Sequence, residues 1–148
     1  MTREEIIEQL KEYFHIKELV CDHTYAKFGE NSWNFLDTDF LHVLLVLRKD
    51  ILRLPMVCNT SDKKQRGLRC NRCGLVTAKK SVYLSAHVLG KAGDFIVQGM
   101  TASAVRTRIR ECADKLPCQV RIERGKSWLH IDVRPTAGRT EKIIEFYG

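Results

Sequence analysis

Residues 85–94 read SAHVLGKAGD, and their reading decides that of the rest of the chain. His87 and Asp94 stand seven positions apart, with the small residues Gly90, Ala92 and Gly93 between them. Such residues let the backbone turn tightly. Further on, in SWLHIDVRP, His130 follows Asp94 by 36 positions and sits in a run with strand character. Two imidazoles and a carboxylate make a three-ligand set for one catalytic zinc per chain, with a fourth position left for water. DFIVQ (94–98) predicts a strand that Asp94 opens, and 128–134 predicts another around His130. If these strands pair, His87, Asp94 and His130 meet at one end of a sheet. Asp132 lies two residues after His130 and would share its face. Two roles are open to it, orienting a histidine or serving as general base. Taken singly, His-x6-Asp and His-x-Asp are also the spacings of unrelated surface residues.

Around this segment the chain predicts an α+β domain, a small antiparallel sheet with helices packed on one side. Thr2 to about Phe14 has helical spacing of Ile6, Ile7, Leu10, Tyr13 and Phe14, with Thr2 and Glu5 as a capping box. Residues 16–33 are less regular and predict a loop with room for a short turn. A second helix starts at Asp37 or Thr38 and carries Phe40, Leu41, Leu44, Leu45, Leu47 and Ile51 to about Leu52, with Arg48 and Lys49 on its solvent flank and His42 an ordinary helical histidine. Residues 55–58 predict a short strand, 59–67 a polar loop, and 82–86 an extended stretch. Thr101 to Leu116 predicts a helix capped by Thr101 or Ser103 and closed by Pro117. Alternation over 119–123 and 128–134 predicts an antiparallel pair turning at Arg124-Gly125-Lys126, and 142–147 predicts a last strand.

A length of 148 residues suits a single domain, 1–148, with a real core. The net charge of +7, from 25 Lys and Arg against 18 Asp and Glu, favours anionic partners without choosing among them. Nucleic acid is one such class, but it leaves SAHVLGKAGD unexplained. No apolar run approaches the ~20 residues of a membrane span. The acidic, amphipathic start lacks the features of a secretory signal, so synthesis in a cytoplasm with reduced thiols is expected. Six cysteines stand at 21, 58, 70, 73, 112 and 118. Cys70-x2-Cys73 has half the spacing of a structural zinc site, but Cys112 and Cys118 are six apart with no close histidine after them. Two buried or loop thiols are therefore expected at 70 and 73. Trp128 and Tyr83 suit either a substrate cleft or the core.

SAHVLGKAGD matches S-x-H-x-x-G-x-A-x-D at Ser85, His87, Gly90, Ala92 and Asp94, and so resembles the signature of the zinc D-Ala-D-Ala carboxypeptidase family. That family includes phage L-alanyl-D-glutamate endolysins, D,D-dipeptidases and murein endopeptidases, and shares its fold with hedgehog signalling domains. Trp128 to Arg134, W-x-H-x-D-x-R, looks like the second family motif, and FHIKELVC, LRKDILRLPMVCN and RGLRCN resemble the upstream order. The resemblance implies a hedgehog/DD-peptidase-like fold and zinc on His87, Asp94 and His130. It also implies an Arg69 that neutralises substrate or oxyanion charge, and a Ser85 that supports the first ligand. Many members carry a Glu or Asp three residues before the last histidine as catalytic base. Here that residue is Ser127, which moves the base to Asp132, with Glu123 second. The implied function is zinc-dependent hydrolysis of an amide in peptidoglycan peptides by a monomer. It would act on the cell wall after release from the cytoplasm, as a phage lysis enzyme does, or as part of a virion. The alternative is a non-catalytic zinc-containing binding module on the same fold, favoured by Ser127.

Overall fold

The computed structural model describes residues Met1–Gly148. Its first helix, α1 (Arg3–Leu10), begins at the expected capping box: the Thr2 hydroxyl accepts from Glu5 N and the Glu5 carboxylate accepts from Thr2 N. Eight residues are too few to hold a helix in water. Its stability comes from burying Ile6 and Leu10 against α3 (Thr38–Val46). Burial of an aliphatic side chain of that size contributes about 1.5–3 kcal/mol. Asp37 caps α3 by accepting from Phe40 N at 3.1 Å. The helix then widens into a π turn over Leu47–Ile51, keeping Leu47 and Ile51 buried while Lys49 stays exposed.

The stretch 16–33 expected as loop is helical. A short 3-10 turn (Ile16–Glu18) leads to α2 (Asp22–Phe28), and a second 3-10 segment follows (Gly29–Phe35). Within α2 only Thr24 is buried, so the sequence shows no apolar stripe to announce it. β1 (Met56–Val57), α4 (Gly74–Thr77), β2 (Ala92–Val97), α5 (Ala102–Glu111), β3 (Val120–Arg124), β4 (Leu129–Asp132) and β5 (Ile143–Tyr147) complete the order. Residues 82–86, expected to extend, form no strand. Thr101 caps α5, and a 3-10 turn (Ala113–Lys115) carries the chain to Pro117.

The α+β class holds, but the sheet is mixed rather than antiparallel. Its order is β1-β2-β4-β3-β5, and β5 runs parallel to β3 while the other pairs are antiparallel. After β4 the chain travels around the sheet end through residues 133–142 and enters the edge in the direction of β3. Gln119 Nε2 donates to the carbonyls of Arg139 and Glu141, and Val120 N donates to Lys142 O, which pins that return.

Alternation divides the sheet into two faces. Phe95, Val97, Val120, Ile122, Leu129 and Ile131 join α1, α3 and α5 in one core cluster. Asp94, Arg121, Glu123, His130 and Asp132 occupy the intervening positions and point away from it. α5 packs on β2 and β4, and Arg106 from its buried side donates to the carbonyls of Lys126 and Trp128 at the β3–β4 turn.

Asp37 also links the helical layer to SAHVLGKAGD. Its Oδ2 accepts from Lys91 Nζ at 2.7 Å and its backbone N donates to Gly90 O. Burial raises the Asp37 pKa, but the Lys91 ammonium and the Phe40 amide outweigh it and hold the carboxyl below its usual range. A carboxyl with a lowered folded pKa adds stability above its unfolded pKa and loses it as pH falls through the folded value. Asp37→Ala is expected to cost about 1–2 kcal/mol at neutral pH through the lost cap. Asp37→Asn keeps the cap but forfeits the Lys91 charge pair. Urea unfolding across pH 2–7 should therefore show the gap between wild type and Asp37→Asn shrinking as pH falls below 4. A pH-independent gap contradicts this assignment.

Candidate metal centre

β2 and β4 pair with Asp94 directly opposite His130, and their side chains meet on the face turned away from the core. Asp94 lies inside its strand rather than at its start. His130 Nδ1 stands 2.8 Å and His87 Nε2 3.5 Å from the same oxygen, Asp94 Oδ1. The three residues expected as ligands thus converge, each offering one ligand atom within 4.8 Å of the others.

His87 arrives from a turn rather than a strand. Gly90 has a φ of 70°, and a Cβ there would lie 2.1 Å from Phe35 O. No other residue fits at that point without moving the backbone. Leu89 N donates to Ser85 O and Lys91 N to Ala86 O, while the Ser85 hydroxyl accepts from Val88 N. Ser85 thus supports the turn that carries the first histidine.

Each imidazole is oriented by its second nitrogen. His87 Nδ1 donates to Gly67 O at 2.9 Å, which leaves Nε2 as the nitrogen that faces Asp94. His130 Nε2 donates to Asp132 Oδ2 at 2.7 Å, which assigns Nδ1 to the shared centre. A carbonyl or carboxylate behind a ligating histidine fixes its tautomer and strengthens it as a donor. The donor set and its supports fit a divalent cation of zinc type.

Asp132 is fully buried and has both oxygens engaged. Arg121 grips it with Nε to Oδ1 at 2.9 Å and Nη2 to Oδ2 at 3.1 Å, and Arg134 N donates to Oδ1. Of its two open roles, this geometry fits the orienter of His130. Burial raises its pKa, but His130 and Arg121 outweigh this and hold the carboxyl low. Asp94 is likewise held well below the carboxylate range, with burial overcome by hydrogen bonds and charge from His130 and His87. Burial lowers the His130 pKa, yet Asp132 and Asp94 push it up to about 9. A cation bound at Nδ1 therefore takes the place of a proton at neutral pH.

Arg69 lies beside the ligands, with Nη2 3.9 Å from Asp94 Oδ2 and Nε donating to Gln65 O. The ligands open on a cleft of about 300 Å³ that Tyr83, Glu123, Lys126 and Trp128 also line. Tyr83 and Trp128 are thus cleft residues. A second hollow of about 650 Å³ shares Arg69, Asp94 and Trp128 with it and contains Ser127. Glu123 neighbours His130 across the β3–β4 pair, on the same face.

A second group of ligand-type side chains has formed elsewhere. Cys21, His23, Cys70 and Cys73 also bring their ligand atoms within 4.8 Å of one another. The partners of Cys70 and Cys73 come from upstream, not from Cys112 or Cys118. Cys70 and Cys73 are free thiols in the loop, as expected, but they lie against Cys21 and His23, a contact between distant segments that their own spacing does not show. A Cys-x-His at 21–23 is the signal that could have raised it.

A scan against protein-family models and searches of curated proteins and solved structures returned no match.

Asp132→Asn should weaken metal binding about 10–100-fold, the usual cost of losing such a carboxylate support. Competition against a chromophoric chelator, with folding checked by circular dichroism, measures it. Unchanged affinity in a folded variant rules out the orienting role.

Proposed function

We propose that the chain is a zinc-dependent peptidase that hydrolyses an amide bond in peptidoglycan stem peptides or cross-links, on a hedgehog/DD-peptidase-like fold. The observation that carries this is the convergence of His87, Asp94 and His130 at a cleft, with the two imidazoles held from behind by Gly67 O and Asp132. The resemblance of SAHVLGKAGD to the carboxypeptidase signature adds the substrate class. Zinc held by these ligands supplies Lewis acidity toward a carbonyl and lowers the pKa of water to about 7.

The chain's own residues supply the rest. Arg69 places a guanidinium beside Asp94, where it can neutralise an oxyanion developing on the scissile carbonyl. Asp132 keeps His130 in register, and with both oxygens held by His130, Arg121 and the Arg134 amide it has none free to collect a proton. Glu123 is the better general base. It lines the cleft, lies across from His130, and has only a 3.5 Å contact with Lys126 Nζ competing for its carboxylate. Arg69, Arg121, Lys126 and Arg134 give the cleft a positive lining suited to peptides rich in free carboxylates. An enzyme of this kind reaches the wall after release from the cell or as part of a virion.

Purified peptidoglycan digested with the zinc-loaded chain, and analysed by mass spectrometry, tests the proposal. New fragments should appear, vanish with chelator and with His87→Ala, and give the bond by their masses. Glu123→Gln should keep its metal while the rate falls about 10²–10⁴-fold, the usual contribution of a general base. A full rate in Glu123→Gln removes that residue from the mechanism. A zinc-loaded chain that releases no fragments from several wall types favours the non-catalytic binding module.

A further inference from the structure

The Cys21, His23, Cys70 and Cys73 group shares no residue with the reaction proposed above and does not depend on it. We infer that it is a second, structural metal site of Cys3His type that holds a zinc-class cation and staples the start of α2 to the loop before α4.

The spacings carry this inference. Cys70 Sγ lies 3.9 Å from Cys73 Sγ and 3.5 Å from His23 Nδ1, and Cys73 Sγ lies 3.9 Å from His23 Nδ1. Tetrahedral zinc with ordinary bond lengths sets its ligands ~3.8 Å apart for two thiolates and ~3.6 Å apart for a thiolate and an imidazole nitrogen. The observed distances fall within a few tenths of an ångström of these values. They are far too long for a disulfide, whose sulfurs sit ~2.0 Å apart. All six cysteines are free thiols.

The surroundings are built to match. Arg72 N donates to Cys70 Sγ at 3.4 Å, the backbone-to-sulfur bond that a tight Cys-x2-Cys turn offers a thiolate. Cys73 N donates to Cys70 O and closes the same turn. Thr24 Oγ1 lies 3.1 Å from Cys21 Sγ. Cys21 and Cys73 are buried while His23 reaches the surface, so the site has a closed floor and a path for metal entry.

Backbone pairing delivers the two halves of the ligand set. Val20 and Leu68 form a parallel bridge in which Leu68 N donates to Leu19 O and Cys21 N to Leu68 O. Gly67 makes that approach possible, because a Cβ there would lie 2.1 Å from Leu19 O. The loop so anchored also presents Gly67 O to His87 and Arg69 to Asp94. A cation on the four ligands therefore braces the supports of the first centre without touching it.

Metal analysis of the full chain, purified under reducing conditions with zinc supplied, should find two equivalents. His87→Ala/His130→Ala should retain one, and Cys70→Ser/Cys73→Ser should also retain one. Cobalt loaded into the His87→Ala/His130→Ala chain should show intense thiolate-to-cobalt charge-transfer absorption in the near ultraviolet. Added zinc should slow thiol reagents at three of the six cysteines in the wild-type chain, which needs no variant to fold. Hydrogen exchange at the Leu68 and Arg69 amides should quicken when the second equivalent is removed. A His87→Ala/His130→Ala chain that holds no zinc, no charge-transfer band, or thiols that react equally fast with and without zinc overturns the inference. None of these readouts requires hydrolysis, so a chain that cuts no peptidoglycan can still pass them.

Discussion

The pairing of Asp94 with His130 across β2 and β4 is the constraint on which the rest depends. Strand side chains alternate, so this one register assigns every neighbour a face. With Asp94 outward, Phe95 and Val97 must enter the core, and with His130 outward, Leu129 and Ile131 must do the same. A slip of one residue in β4 would bury His130 and Asp132 and expose Leu129 and Ile131. The apolar burial that stabilises the sheet is thus the force that brings two of the ligands together.

Charges placed on a half-enclosed face need partners. The site meets this with a chain of contacts running Arg121, Asp132, His130, Asp94. Phe146 from β5 closes the end of the chain, with the Arg121 guanidinium 4.2 Å from its ring centroid. A buried ion pair does not by itself add stability, because desolvation cancels much of the attraction. What the chain of contacts supplies is direction. Arg121 fixes Asp132, Asp132 fixes one edge of His130, and the other edge is left for the shared centre. β5 brings Phe146 to that position by lying parallel beside β3, with Phe146 opposite Glu123.

Local signals in the sequence were good guides wherever the structure is local. The Thr2–Glu5 capping box, the Asp37 and Thr101 caps and the β3–β4 alternation each depend on a few adjacent residues, and all are present. His87, Asp94 and His130 were legible because a compact motif and a strand pattern marked them. The features that escaped are set by contacts far apart in the chain. α2 has no apolar stripe, and its position depends on the 3-10 turns around it and on Cys21. The direction of β5 depends on how residues 133–142 travel around the sheet. Asp132 is placed on its strand by alternation, but its carboxylate is held against His130 by Arg121, eleven residues away.

The loop from Asn59 to Cys73 joins these levels. Asn59 is buried, its amide donating to Val20 O while its carbonyl accepts from Arg66 N, so the loop is held from inside rather than by a strand. Arg66 O then accepts from Asp94 N, which ties the loop to the strand carrying the carboxylate ligand. Leu68 stitches the loop to the segment before α2, while Gly67 and Arg69 face the first centre. Such a segment, rich in polar residues and short of apolar anchors, would ordinarily fluctuate. It carries the carbonyl that sets the His87 tautomer and the guanidinium beside Asp94, two groups that act only when held in place. Anchoring at Asn59, through Arg66 O and at Leu68 spaces the fixed points along the loop, so that Gly67 lies between held neighbours and Arg69 follows directly after one.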